Sequence, residues 1–157
     1  MRSIAAEAED DFDYLNFFNQ HSAKTQIDIP SAVTLSSVKT GYNLNAKAIF
    51  AFTTSGSTAR LLSRLRPGIP ILAMTSSVKC YHQMSILWGV IPVLSEPFEH
   101  YSDAYEKICS IALERGLVNR GDLVILTAGA PFGVSGTTNA VIVQNVGVSL
   151  GKYNPKT

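Results

Sequence analysis

Cysteine is nearly absent: only Cys80 and Cys109 occur in 157 residues, far apart and at no metal-ligand spacing. Both are read as reduced thiols in the core of a cytosolic protein. No apolar run approaches the ~20 residues that a membrane-spanning helix needs. The opening MRSIAAEAEDD is acidic and lacks the apolar stretch of a signal peptide. An excess of charge is lacking too. Thirteen basic residues against twelve acidic leave a net +1, which argues against nucleic-acid binding through bulk positive charge. Charged residues make up only 16% and hydrophobic ones 46%, so a disordered chain is excluded. The length suits one ordinary domain, with room for a short arm, and is enough to bury a core without disulfides or metal.

Acids are missing from the middle of the chain. Five of them (Glu7, Glu9, Asp10, Asp11, Asp13) crowd the first thirteen residues. None lies between Asp28 and Glu96, where Lys39, Lys47, Arg60, Arg64, Arg66 and Lys79 all fall. This basic middle reads either as a solvated face or as an anion site. Motifs of common catalysis are also wanting. There is no GxxxxGK[ST], no GxGxxG after a strand, and no GxSxG, HExxH or CxxC. His21, His82 and His100 are scattered without a carboxylate or nucleophile partner and read as surface residues. The carboxylates form no evident metal cluster. There is no internal repeat and no low-complexity segment.

What remains is an alternation of helices and strands. Ser3–Asp10 reads as helical, and Tyr14–Asp28, which has no clear period, as a loop. Pro30 suits a first helical turn, and Ala32–Tyr42 follows with Val33, Leu35 and Val38 apolar. AKAIFAF is a short apolar run bounded by polar residues, read as a buried strand. Ser57–Leu65 is a helix closed by Arg66-Pro67-Gly68. Pro70–Met74 is a strand, Val78–Leu87 a helix, and Val90–Leu94 a strand that Pro92 weakens. Asp103–Glu114 is a helix stopped by Gly116, and Leu123–Thr127 and Ala140–Val146 are the last strands. Such alternation implies βαβ units and a mostly parallel sheet in an α/β fold. The final connection, GAPFGVSGTTN, is too short and glycine-rich for a crossover helix, so the fifth strand is expected to run antiparallel at an edge.

The sharpest local feature is Thr53-Thr54-Ser55-Gly56-Ser57-Thr58, which follows a buried strand and opens a helix. Open α/β sheets bind ligands at the carboxyl ends of their strands. A helix start offers unpaired N–H groups and partial positive charge, which suit a phosphate. Gly56 lets the backbone approach an anion, and the hydroxyls add donors. Arg60 and Arg64 lie on the following helix. The competing reading is helix capping by Ser55 or Thr54. The second feature is Gly129–Asn139, with three glycines and the stiffening Pro131. It reads either as a loop folding over a ligand or as a plain connection to the edge strand. Trp88, within LWGVIPVL, reads as a core or interface aromatic, with base stacking as the alternative.

LNAKAIFAFTTSGSTARLLSRLRPGIPILAMT, then WGVIPVL, then GLVNRGDLVILTAGAPFGVSGTTN together resemble the C-terminal domain of pyruvate kinase, over roughly Ile4 to Gly147. The combination TxSGxTAxxxSxxRPxxPIxAxT, GVxPVL and GDxVxxTAGxPxGxSGTTN is highly specific. The resemblance implies a three-layer α/β/α fold whose mixed five-stranded sheet has the order 3-2-1-4-5, with strand 5 antiparallel. Residues 1–13 then correspond to the end of the last barrel helix and a linker, and 14–157 to the C-terminal domain.

In that family, phosphoryl transfer from phosphoenolpyruvate to ADP sits in a (β/α)₈ barrel with a lid domain. The catalytic lysine and the acidic ligands of magnesium and potassium lie there, so no cofactor is expected in this chain. The resemblance implies a cytoplasmic, non-catalytic domain for effector binding and subunit assembly. The alternative is a stand-alone phospho-ligand sensor or small enzyme of the same fold. The family's phosphate loop maps onto Thr53, Thr54, Ser55, Gly56, Ser57 and Thr58. Its effector loop runs from Gly129 to Thr138, with Gly133, Ser135, Gly136 and Thr137 at its centre. Members that bind fructose 1,6-bisphosphate have a basic residue where this chain has Thr54. They also use a tryptophan and an arginine for the second phosphate, where this chain has no tryptophan between Leu94 and Glu114 and carries Ala104 at the arginine position. A sugar monophosphate or nucleoside monophosphate is therefore the expected effector. A homo-oligomer is expected too, a tetramer in the parent, with an antiparallel dimer contact through Ala140–Val146. Neither nucleic acid nor membrane is expected as a partner.

Overall fold

The computed structural model describes residues 8–22, 28–130 and 137–148. Residues 8–10 are helical, while the rest of the expected Ser3–Asp10 helix lies outside the described residues. Ten elements follow. They are α1 (Tyr14–Ser22), α2 (Ile29–Asn43), β1 (Ala48–Phe52), α3 (Ser57–Arg64), β2 (Ile71–Thr75), α4 (Val78–Met84), β3 (Val90–Leu94), α5 (Tyr101–Glu114), β4 (Leu123–Gly129) and β5 (Thr138–Asn145).

The strands form one sheet in the order β3-β2-β1-β4-β5. The first four are parallel, with Ile49 opposite Ile71, Ile71 opposite Val90, and Ile49 opposite Ile125. β5 runs antiparallel to β4, with a register irregularity at Ala128/Gly129. β1 and β2 are buried along their whole length, which is why they read as continuous apolar runs. Their side chains alternate between the faces. Phe50, Leu72 and Leu126 pack with Tyr105 and Ile108 of α5. Ile49, Ala51, Ile71 and Ile125 pack with Phe18, Val38, Leu62 and Met84 of the other four helices. Three layers result, with α1–α4 on one side and α5 on the other. Pro92 lies on β3, an edge strand, where one missing N–H is tolerated.

One expectation fails. The segment expected to be a loop from Tyr14 onward is the helix α1 as far as Ser22. The Asp13 carboxylate accepts a hydrogen bond from the Asn16 N–H at 3.0 Å and so starts it. The helix buries Phe18 alone, edge-on to Tyr42 at 5.6 Å between ring centroids. A single buried residue leaves no apolar period to read. The next helix starts earlier than expected, at Ile29. Its N-cap Asp28 accepts from the Ser31 N–H at 2.8 Å, and Pro30 occupies the first turn. Hydrogen bonds from the Ser31 hydroxyl and then from its N–H hold the Asp28 carboxyl below its usual range. The buried face of α2 is mostly small: Ser31, Thr34, Ser37, Val38 and Gly41. A side chain at Gly41 would come within 2.8 Å of Ile69 Cδ1, so the end of the Ile69 side chain would have to shift to admit it.

Candidate functional site

The loop after β1 sets the geometry. Gly56 is the N-cap of α3, with φ +84° in the left-handed region. A side chain there would be strained, and it would meet Cys80 Sγ at 3.3 Å and Met84 Cγ at 3.6 Å. The Gly56 N–H donates to Thr53 Oγ1 at 2.8 Å, which curls the loop on itself. Ser55 Oγ donates to Ser57 Oγ at 3.2 Å and accepts a long bond from the Ser57 N–H at 3.4 Å. Ser55 and Thr54 are thus not the N-cap, and the cap residue contributes no side-chain bond. The first turn of α3 keeps N–H groups directed outward from its start, with the positive end of the helix dipole behind them. The Arg60 guanidinium reaches back to the Ser55 carbonyl and to Gln83 Oε1, both at 3.4 Å. It therefore sits behind the loop.

This turn opens on a cleft of about 640 Å³, mouth included, at the carboxyl ends of the parallel strands. Thr53, Thr54, Ser57 and Thr58 line it, whereas Ser55 and Gly56 do not. Phe52, Met74 and Thr75 come from the ends of β1 and β2, and Ser95, Glu96, Pro97 and Phe98 follow β3. Gly129, Thr137 and Thr138 close the remaining side. Of the expected effector loop, Thr137 is described and on the cleft, whereas Gly133, Ser135 and Gly136 lie outside the described residues.

Three contacts fix the base of that loop. The Asn139 amide pairs with both the N–H and the carbonyl of Ala130, each at 2.8 Å. The Tyr101 hydroxyl donates to the Gly129 carbonyl, and burial raises the pKa of that phenol. Thr58 Oγ1 and Thr138 Oγ1 share a buried hydrogen bond of 2.6 Å, which ties α3 to the start of β5. A side chain at Gly129 would collide with Thr137, so glycine is required for that close approach.

Sequence reasoning missed the wall made by Thr75, Ser76 and Ser95–Phe98. The signal available was strand register: Phe52 lies opposite Met74, and Thr75 opposite Leu94, so the residues just past each strand fall at one level. Other candidates lie elsewhere. Trp88 precedes β3 and so sits at the opposite end of the sheet, with Tyr14 at 5.8 Å and the Arg66 guanidinium over its ring at 5.0 Å. His82 and His100 are exposed, and His21 is stacked on Phe17. Cys80 and Cys109 are buried free thiols, and burial raises the pKa of Cys109. Among the described residues no three His, Cys, Asp or Glu side chains converge to hold a metal. No helix among them is long and apolar enough to cross a membrane.

Residues 31–144 match the family described as the pyruvate kinase alpha/beta domain. Pyruvate kinase from Staphylococcus epidermidis is 40% identical over 152 residues, which cover 97% of this chain and 26% of that protein. Pyruvate kinase from Staphylococcus aureus is 40% identical over 147 residues, 94% of this chain and 25% of that protein. The chain thus spans about a quarter of the length of the curated relatives it matches. Among solved structures, Cryptosporidium parvum pyruvate kinase in complex with ADP superposes with a TM-score of 0.84 at 26% identity, over 92% of this chain and 29% of that one. A second Cryptosporidium parvum pyruvate kinase structure gives 0.80 at 25% identity, over 90% and 28%.

Proposed function

This chain belongs to the pyruvate kinase alpha/beta-domain family, and on that premise we propose that it binds a phosphorylated effector and joins subunits of a parent enzyme. The observation that carries the reading is the first turn of α3, whose N-cap Gly56 supplies no side-chain bond and which opens on a cleft at the carboxyl end of β1. A phosphate seated there accepts from backbone N–H groups and from the hydroxyls of Thr53, Thr54 and Ser57. Each charge-assisted bond of this kind contributes about 1.5–3 kcal/mol. In this reading Gly133, Ser135, Gly136 and Thr137 are the residues assigned to the effector loop. A sugar monophosphate or nucleoside monophosphate is the ligand this site suits.

Phosphoryl transfer from phosphoenolpyruvate to ADP is assigned to the parent enzyme outside this chain. Transfer needs a clamp of cations on the moving phosphoryl group. The described cleft residues include neither lysine nor arginine. Magnesium and potassium are assigned with that chemistry to the parent; among the described residues no three His, Cys, Asp or Glu side chains converge to hold a metal. Subunit contact is assigned to β5. It is a sheet edge, and Ile142 and Val143 are 36% and 40% exposed on it. An open apolar edge favours pairing with a second copy across a two-fold axis. A cytoplasmic location goes with this reading.

Calorimetric titration with glucose 6-phosphate, ribose 5-phosphate, AMP and fructose 1,6-bisphosphate tests the effector site. At least one monophosphate is expected to bind, and Gly56→Val to abolish that binding with circular dichroism unchanged. Binding of none, or binding indifferent to Gly56→Val, overturns the effector reading. The same preparation is expected to give no conversion of phosphoenolpyruvate and ADP. Turnover that survives further purification refutes the non-catalytic assignment.

A further inference from the structure

The cleft has hydroxyls, backbone amides and apolar surface on its described walls, but only one charged side chain, and that one is an acid. Glu96 follows β3 and lines the cleft from the far side of β2, away from the loop after β1. No described lysine or arginine accompanies it there. Arg60, the cation nearest the phosphate loop, is engaged behind it with the Ser55 carbonyl and Gln83. The sequence of residues 131–136, Pro-Phe-Gly-Val-Ser-Gly, adds no charge. One end of the cleft therefore favours an anion through a helix start, and the other end places a carboxylate beside Pro97 and Phe98.

We propose that Glu96 is the specificity-determining residue of this cleft, selecting a sugar with one phosphate and rejecting a sugar with two. The inference rests on the effector reading above and deepens it. An ionised carboxylate only accepts hydrogen bonds, so it pairs with the hydroxyls of a sugar. Against a second phosphate it has nothing to donate, and the two negative charges repel. Selectivity of this sort comes from a repulsive element as much as from attraction. Phe52 and Phe98 supply apolar surface for the C–H face of a sugar ring, while Ser76 and Ser95 add hydroxyl partners.

The test compares glucose 6-phosphate with glucose 1,6-bisphosphate, which differ only in the second phosphate, and with inorganic phosphate. All three are titrated calorimetrically into the 157-residue chain and into Glu96→Gln and Glu96→Lys. Glu96 is exposed, so both variants keep the fold, and circular dichroism checks this. The wild-type chain is expected to bind the monophosphate about tenfold or more tightly than the bisphosphate. Glu96→Gln is expected to narrow that ratio and Glu96→Lys to shift it toward the bisphosphate by about tenfold or more, with inorganic phosphate changing by about threefold at most. A ratio that is the same in all three proteins overturns the role of Glu96 and leaves the effector site standing. A wild-type preference for the bisphosphate does the same. Failure of glucose 6-phosphate to bind overturns the role of Glu96, and the effector reading falls with it only if ribose 5-phosphate, AMP and fructose 1,6-bisphosphate fail as well.

Discussion

The hydroxyl pair between Thr58 and Thr138 allows a quantitative test of how α3 is fastened to β5. Both residues are 3% exposed, and their Oγ1 atoms lie 2.6 Å apart. Thr58→Val preserves shape but leaves the Thr138 hydroxyl facing a methyl group. A buried donor left without its partner costs about 1–3 kcal/mol. The low end applies if water from the neighbouring cleft takes the vacated place. For a domain of this size each kcal/mol moves the melting temperature by about 2–4 °C, so a fall of roughly 2–12 °C is expected. Thr138→Val is expected to cost a similar amount. The double variant removes both polar groups at once, so its cost falls short of the sum by about 1–2 kcal/mol. Urea unfolding of the four proteins, with equal m-values, measures that coupling. Single costs that add in the double variant to within about 0.5 kcal/mol would refute the reasoning.

Gly56→Ala is expected to destabilise by about 1–2 kcal/mol, because alanine at φ +84° is strained; urea titration reads this, and an unchanged midpoint contradicts the left-handed cap. Asp28→Ala is expected to lower the melting temperature near neutral pH, and the difference from wild type is expected to close as the pH drops. The folded-state pKa of Asp28 is depressed, so its contribution is complete above the unfolded value, about 3.9, and is lost as pH falls through the lower folded value. A difference that persists at pH 2 shows that the cap acts without its charge. Ile142→Lys places a charge on the exposed edge strand and is expected to shift sedimentation toward monomer; a wild-type chain already monomeric at high micromolar concentration removes the basis for the β5 contact.

Much of the fold is legible in the residues because burial on both faces leaves uninterrupted apolar runs. Val90–Leu94 has the same bounds in the sequence reading and in the structure, since it is apolar and flanked by Gly89 and Ser95. α1 is illegible because one residue, Phe18, carries its packing. α2 is legible as a helix, and two of the three apolar residues read there, Leu35 and Val38, do reach the core, but most of its other buried positions are small polar ones that carry no apolar signal. Ser37 is buried because its hydroxyl accepts from Thr127 Oγ1 of β4 at 2.8 Å, a partner ninety residues away. The phosphate loop is contiguous, so its strand–glycine–helix order shows in sequence. The Ser95–Phe98 wall is not contiguous with it and joins the cleft only once β3, β2 and β1 lie side by side.

The order of the strands explains why the cleft lies where it does. From β1 the chain steps outward to β2 and β3, with α3 and α4 on one face of the sheet. It then returns through α5, on the other face, to β4 on the far side of β1. The path therefore reverses between β1 and β4. At such a reversal the connections leave the two strands toward opposite faces, and a crevice opens at their carboxyl ends. β1 ends there in Phe52 and the phosphate loop, and β4 ends there in Gly129. Because β5 is antiparallel, it begins where β4 finishes, so Thr138 arrives beside Thr58 and not at the opposite end of the sheet. A parallel fifth strand would need a long crossover and would start at the far end. The short glycine-rich connection thus does two things at once. It forces β5 to run antiparallel, and it brings Thr137 and Thr138 to the crevice beside Gly129.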